Sequence, residues 1–343
     1  MRAATQTWSE PEWIEFWVAQ IAKAISINTE HQPSLASINR ELKDRGLCII
    51  FLFDGLEDIF PNIASSNQEK IALKALIDLP KRLSEIRQSN LGIITFLRRD
   101  FLRNTTTQNY GQFENQYRSY NLSWDQDSFL RLVYWICSES KVIGAEKDNI
   151  DSLSKENITD ELEKLWGKKL GLDKSKEAYT ASWIFAALTD FNGRLQARDI
   201  VRFLFHAAKI TIDRANEVQF KKWSASRLLP PQAIRSALKP CSEDKVKEVK
   251  EEYPAFKIWV EDTLPKNPTE RRIPFAIEQF DMDQPTVRML EELGVIYEDK
   301  EKEETARFYM PEIFREGLGF SLGQKARPRV LVLKRKALGR GIV

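Results

Sequence analysis

With 343 residues, 42% of them hydrophobic, the chain is long enough for two or three separately cored domains. Its 52 basic and 50 acidic side chains leave a net charge of +2, which excludes a global electrostatic drive toward nucleic acid or membrane surfaces. Cys48, Cys137 and Cys241 are far apart and odd in number, and with His31 and His206 they offer no zinc-ligand spacing, a pattern that fits a reducing cytoplasm. The apolar stretch Trp13 to Ile27 is interrupted by Glu15, Gln20 and Lys23, so it reads as neither signal peptide nor membrane span. The expectation is a cytoplasmic protein with no membrane partner.

The chain opens with a helix: Ser9 is placed as N-cap, Pro11 and Glu12 fall in the first turn, and Trp13, Ile14, Trp17, Val18, Ile21 and Ile25 recur at helical spacing. Trp8, Trp13, Phe16 and Trp17 suit a face made to pack on a core the chain does not itself supply, with packing on its own sheet as the alternative. A second helix is predicted from Ser34 to Arg45, ended by Gly46. Leu47 to Phe53 then reads as a strand buried on both faces, because its apolar run is continuous. A helix over Asn67 to Gln88, interrupted by Pro80, leads to a second buried strand, GIITFL at Gly92 to Leu97. Strand, helix, strand at this spacing predicts a parallel βαβ unit.

A further helix is expected from Ser123 to Ser138, then a polar linker over 139–157. From Asp160 to about Trp259 nearly every segment has helical periodicity, with PQAIRSALKP and EDKVKEVKEEYPAFKIWVEDTL as separate pieces. Lys245 to Glu252 alternates in charge and is expected to be a solvated helix face. After Asn267, PTVRMLEELG is followed by two short strands around the charged tip EDKEKEE, a helix-then-hairpin order. The segment from Gly317 to Lys325 has glycines at the wrong spacing for either phosphate-binding fingerprint and reads as a turn. The tail from Ser321 carries Lys325, Arg327, Arg329, Lys334, Arg335, Lys336 and Arg340 around Val330 to Leu333.

The candidate chemistry centres on CIIFLFDGLED, where a buried strand ends in Asp54 and Glu57 and Asp58 follow. A carboxylate at such an edge can hold magnesium through water while a neighbour polarises an attacking water. Asp-Gly at a strand end is also a common turn. GIITFLRRD puts Arg98 and Arg99 just past the next strand, at the edge where ligands of open α/β sheets bind. FNGRLQARDIVRFL puts Arg194 and Arg198 at the start of a helix in the helical region. Surface arginines without a role are the alternative for all four.

In this order the motifs resemble the STAND branch of the AAA-type P-loop ATPases, the signalling NTPases that include NACHT-like and bacterial defence proteins. The resemblance spans about residues 8 to 320: IIFLFDGLED for the Walker B strand, GIITFLRRD for the sensor strand, FNGRLQARDIVRFL for the helical lid, and VRMLEELGVIYED to RFYMPEIFREGLGF for a winged helix. It implies ATP and magnesium as cofactors. It also implies Asp54 near the metal, Glu57 or Asp58 near the attacking water, Arg98 or Arg99 as a sensor, and Arg194 or Arg198 as a lid sensor.

The phosphate-binding sequence G-x-x-x-x-G-K-[ST] occurs nowhere in the 343 residues. The backbone amides and lysine of that loop make most contacts to the β- and γ-phosphates, so tight ATP binding by this chain alone is not expected. Three readings follow: a piece of a longer ATPase, one half of a split ATPase, or a degenerate module kept for its interactions. The first two imply as partner a missing N-terminal NTPase half, or a homo-oligomer. The expected fold class is mostly α with an α/β part. Residues 1–138 form an incomplete P-loop sheet domain, 158–264 a helical lid, 265–320 a winged-helix-like domain and 321–343 a basic tail. The expected function is a module of an ATP-dependent switch, an NTP hydrolase only if a Walker A segment is supplied. The alternative is a nucleotide-independent protein- or nucleic-acid-interaction module using the winged helix and tail. Arg288 is the only basic residue in PTVRMLEELG and the hairpin tip is net acidic, which argues against sequence-specific DNA binding.

Overall fold

The computed structural model describes residues 7–27, 32–106, 110–143, 150–264, 271–280, 282–299, 307–323 and 330–339. The chain divides into two compact units, Met1–Asn121 and Leu122–Val343.

The first unit contains α1 (Glu10–Ala24), α2 (Leu35–Asp44), β1 (Ile49–Phe53), α3 (Leu56–Ile59), α4 (Asn67–Ser84), β2 (Leu91–Thr95), α5 (Arg99–Thr105) and α6 (Tyr110–Gln116). A capping box starts α1, with the Ser9 amide donating to Glu12 Oε2 at 2.7 Å. Its face of Trp17, Val18, Ile21 and Ala22 is buried against α4, where Ala72, Leu73, Ala75, Leu76 and Leu79 are fully enclosed. Trp17 donates its indole N–H to the Ala72 carbonyl at 2.9 Å and packs edge-on against Phe53 and Phe60. The aromatic cluster thus has an ordinary packing role inside this unit, and no absent core is needed to account for it.

The two strands pair in parallel, in register from Ile49 opposite Leu91 to Phe53 opposite Thr95, as the βαβ pattern predicts. The expectation of burial on both faces fails. Ile49, Phe51, Phe53 and Ile93 pack against the unit's core, whereas Ile50, Leu52, Ile94 and Phe96 are 60%, 62%, 46% and 39% exposed. The reason is topological: α1 and α4 belong to the core on one side, and among the described residues no other strand joins this sheet. A continuous apolar run records a strand suited to burial on both sides, not one that is so buried within its own unit.

The second unit contains α7 (Gln126–Glu139), α8 (Lys155–Trp166), α9 (Thr180–Leu188), α10 (Ala197–Asp213), α11 (Val218–Lys221), α12 (Pro231–Glu252) and α13 (Pro254–Ile258). It continues through β3 (Arg272–Ile273), α14 (Gln284–Glu292), β4 (Tyr297–Asp299), β5 (Arg307–Tyr309), α15 (Glu312–Arg315), β6 (Ser321–Leu322) and α16 (Val330–Leu338). Phe129, Leu130 and Val133 of α7 join the core of Trp166, Phe185, Ile200, Phe203 and Phe256, with Phe129 stacked on Trp166 at 6.1 Å. This helix therefore belongs to the second unit, and the expected boundary at 138 moves to 121 because the apolar face of α7 is satisfied by α8 and α10.

Two expectations within the helical region change. PQAIRSALKP and EDKVKEVKEE are one helix, α12, which runs through Pro240. Lys245 and Glu248 are buried on it, so the charge-alternating stretch is not wholly a solvated face. The loop after α8 is fixed by Arg227, whose guanidinium donates to the carbonyls of Trp166, Lys169 and Gly171 at 3.2, 2.8 and 3.1 Å. Gly167 lies against that guanidinium with φ +71°, a position that excludes a side chain on both counts.

Helix α14 is followed by the antiparallel pair β4–β5, which matches the predicted helix-then-hairpin order. Phe308 of β5 also exchanges backbone hydrogen bonds with Phe275. Of the charged tip EDKEKEE, Glu298 and Asp299 belong to β4, and the rest, 300–304, lies outside the described residues, as do His31 and Lys325, Arg327, Arg329 and Arg340 of the basic tail. Gly317 and Gly319 fall in a turn after α15, but Ser321–Leu322 of the segment expected to be a turn is β6, which pairs in parallel with β3. No helix among the described residues is long and apolar enough to cross a membrane.

Candidate functional site

The parallel register brings the carboxyl ends of β1 and β2 to one edge of the first unit, where the Phe96 amide donates to the Phe53 carbonyl at 2.8 Å. Asp54 follows β1 immediately and is exposed, with Oδ1 accepting the Gly55 amide at 2.9 Å. Gly55 takes a left-handed conformation, φ +68°, and turns the chain into α3. Leu56 and Phe60 are buried and anchor that short helix, which leaves Glu57 and Asp58 facing outward.

Beyond β2, Arg98 makes a bidentate pair with Asp100, at 3.1 and 3.0 Å, and lies 5.7 Å from the Phe101 ring centroid. Arg99 pairs loosely with Glu114 at 4.0 Å. The edge thus carries three exposed acids and two arginines, and each arginine has a local carboxylate. Among the described residues no group of three His, Cys, Asp or Glu side chains is placed to hold a metal ion. Asp54 could contact a hydrated magnesium only as a single carboxylate. The adjacent Gly55 amide is taken by Asp54 itself. On their own these residues lack the glycine-rich loop and lysine that make most contacts to the phosphates of a magnesium nucleotide.

Arg194 and Arg198 belong to the second unit. Asp190 organises the turn before α10: its Oδ1 accepts the amides of Asn192 and Arg194, both at 2.8 Å, and leaves the Arg194 side chain exposed. Arg198 pairs with Glu248 of α12 at 2.8 Å. Any sensing role for Arg198 would have to compete with that carboxylate.

The densest electrostatic arrangement is one the sequence reading did not single out. Between α10 and α12, Glu248 accepts from Arg202 at 2.7 Å, and Lys245 pairs with Asp199 at 3.1 Å while donating to Gln196 Oε1 at 2.6 Å. Burial alone would raise the Glu248 carboxyl, but Lys245, Arg198 and Arg202 outweigh it and hold the group below its usual range. Asp199 is shifted the other way, because its burial outweighs Lys245. The signal was present in the sequence as helical spacing: Leu238, Cys241, Ser242, Lys245, Glu248 and Val249 share the buried side of α12.

A second buried group escaped notice in the tail. Lys334, between the apolar run and Arg335, is fully enclosed beside Thr189, Asp190, Phe191 and Glu312. Its neighbourhood in sequence, Val330 to Leu333, was the only hint that this lysine goes inward. No protein-family model matches the chain, and no curated protein and no solved structure does either.

Proposed function

We propose that the chain is a module of a STAND-like, ATP-dependent switch, in which the first unit supplies the magnesium edge of a nucleotide site and the phosphate-binding loop comes from another segment. The observation that carries this reading is the parallel β1–β2 pair, with Asp54 at its carboxyl end, Arg98 and Arg99 beyond the adjacent strand end, and an apolar outer face. Parallel sheets are normally covered on both faces, so a two-stranded one with Ile50, Leu52, Ile94 and Phe96 outward suits an incomplete sheet. In such a site Asp54 would hold magnesium through water, Glu57 or Asp58 would orient the attacking water, and an arginine past β2 would report on the γ-phosphate. Of the two arginines proposed as lid sensors, Arg198 is engaged with Glu248 and Arg194 is exposed.

Calorimetry of the full chain with ATP, with and without magnesium, tests the first half of this reading: no micromolar binding is expected, and such binding would overturn the claim of incompleteness. The second half predicts that a polypeptide bearing a glycine-rich loop and lysine restores hydrolysis, and that Asp54→Asn abolishes it. Restored activity that survives Asp54→Asn would refute the metal role.

The same exposed face favours a second reading, a nucleotide-independent interaction module. It predicts a partner that protects Ile50 and Leu52 without any requirement for ATP.

A further inference from the structure

We propose that α16 is a releasable plug: a groove beside α9 receives a helix carrying one lysine, α16 fills it in this structure, and its seating fixes the Asp190 turn that bears Arg194. This inference is independent of the nucleotide reading, since it concerns how the second unit holds its last described helix.

The groove has the parts an ammonium needs. Lys334 Nζ donates to the Thr189 carbonyl and lies 4.6 Å from the Phe191 ring centroid, over which a cation is attracted by the ring quadrupole. The carboxyls of Asp190 and Glu312 supply opposite charge, and all five groups are buried. Asp190 also interacts with Arg194, and Glu312 with Arg315 and Glu316, so the cluster reaches three separate segments of the unit.

Among its described side chains, α16 is held chiefly at its centre. Leu333 and Lys334 are buried, Leu331, Ala337 and Leu338 are half-buried, and Val332 is exposed. Lys336 adds a pair with Asp299 of β4 at 2.9 Å. Nine residues are too few to stay helical alone, so release and unfolding of α16 are one event. Burying an ion is costly unless it is compensated, which makes the seated state sensitive to any change in the groove's charges. Burial brings the Lys334 ammonium down to about 8 and raises both carboxyls, as expected where desolvation outweighs pairing.

The link to the turn is direct. It runs through Thr189 and Phe191, which flank Asp190 and both contact Lys334, while Asp190 Oδ1 holds the amides of Asn192 and Arg194. The Phe191 amide donates to the Gly294 carbonyl at 3.1 Å, and a side chain at Gly294 would collide with the Asp190 carboxyl. Removing the ammonium takes away the hydrogen bond to the Thr189 carbonyl and the contact with the Phe191 ring, and so loosens the turn these two residues flank.

Hydrogen exchange by mass spectrometry on the full chain tests the proposal, comparing wild type with Lys334→Met and with Glu312→Gln. Both variants should raise exchange about tenfold at 333–338 and at 190–194, with α10 and α12 unchanged. Wild-type rates at 333–338 in both variants would overturn the plug, since apolar packing alone would then hold the helix. Faster exchange at 333–338 with 190–194 unaltered would overturn its coupling to the turn. If Lys334→Met lost protection in α10 and α12 as well, the milder Glu312→Gln decides.

Discussion

The charged end of β1 and the charged seam between α10 and α12 contain similar residues and do opposite things. Asp54, Glu57 and Asp58 are exposed at a strand end, where Asp54 accepts the neighbouring Gly55 amide. Asp199, Lys245 and Glu248 are buried between two long helices, where each depends on the others for its charge. The first group lies at an exposed edge outside the core. The second is committed to holding two helices together.

The sharpest test pairs one residue from each region. Glu248→Ala removes the carboxylate shared by Arg198, Arg202 and Lys245, leaving Asp199 to hold the last two, and should cost about 1–3 kcal/mol in denaturant unfolding. Asp54→Asn should change stability by no more than about 0.5 kcal/mol. Comparable losses would erase the distinction. The pH dependence has a definite sign: because Glu248 is held below its ordinary value of 4.5, its contribution is present above that pH and is lost as pH falls further. Glu248→Ala should therefore flatten the acid limb of the stability profile.

The contrast extends to apolar side chains. Leu73→Ala on α4, fully enclosed, should cost about 2–5 kcal/mol. Leu52→Lys on the outer sheet face should cost no more than about 0.5 kcal/mol. A large cost at Leu52 would mean that this face is covered in solution, and thermal unfolding over a range of protein concentrations would then reveal self-association.

The smallest effect concerns the thiols. Cys48 is exposed, whereas burial pushes Cys137 up to about 11 and Cys241 up to about 12. At pH 8 an alkylating reagent should modify Cys48 alone in the native chain. Cys241 donates to the Asp199 carbonyl at 3.5 Å, so its labelling reports opening of the α10–α12 seam and should accelerate in Glu248→Ala. Equal labelling of the three thiols would contradict the burial described above.

Much of the secondary structure was legible because it is written locally. Ser9, Ser34 and Asp125 cap helices, Gly46 follows the end of α2, and two apolar runs separated by a helix pair in parallel. What failed depends on partners distant in sequence. The burial of β1 could not be read from its own residues, since an apolar side chain does not record whether anything covers it. Lys245 and Glu248 read as solvated because charge is normally outside, and only the helical phase of α12 places them inward, while Lys334 read simply as one of the basic residues of the tail. The candidate edge was found from sequence through Asp54, Arg98 and Arg99, yet the bidentate engagement of Arg98 by Asp100 was not foreseen, although the two residues are only two positions apart.

The seat of Gly317 has a consequence for mutational tolerance. Its amide donates to Ser242 Oγ at 2.8 Å, and a Cβ there would run into the backbone of Ser242 and Glu243 on α12. In a library saturating every position, codon 317 should be almost empty of folded members while Glu316 beside it accepts most residues. A turn that carries no chemistry would thus rank among the least replaceable positions of the chain.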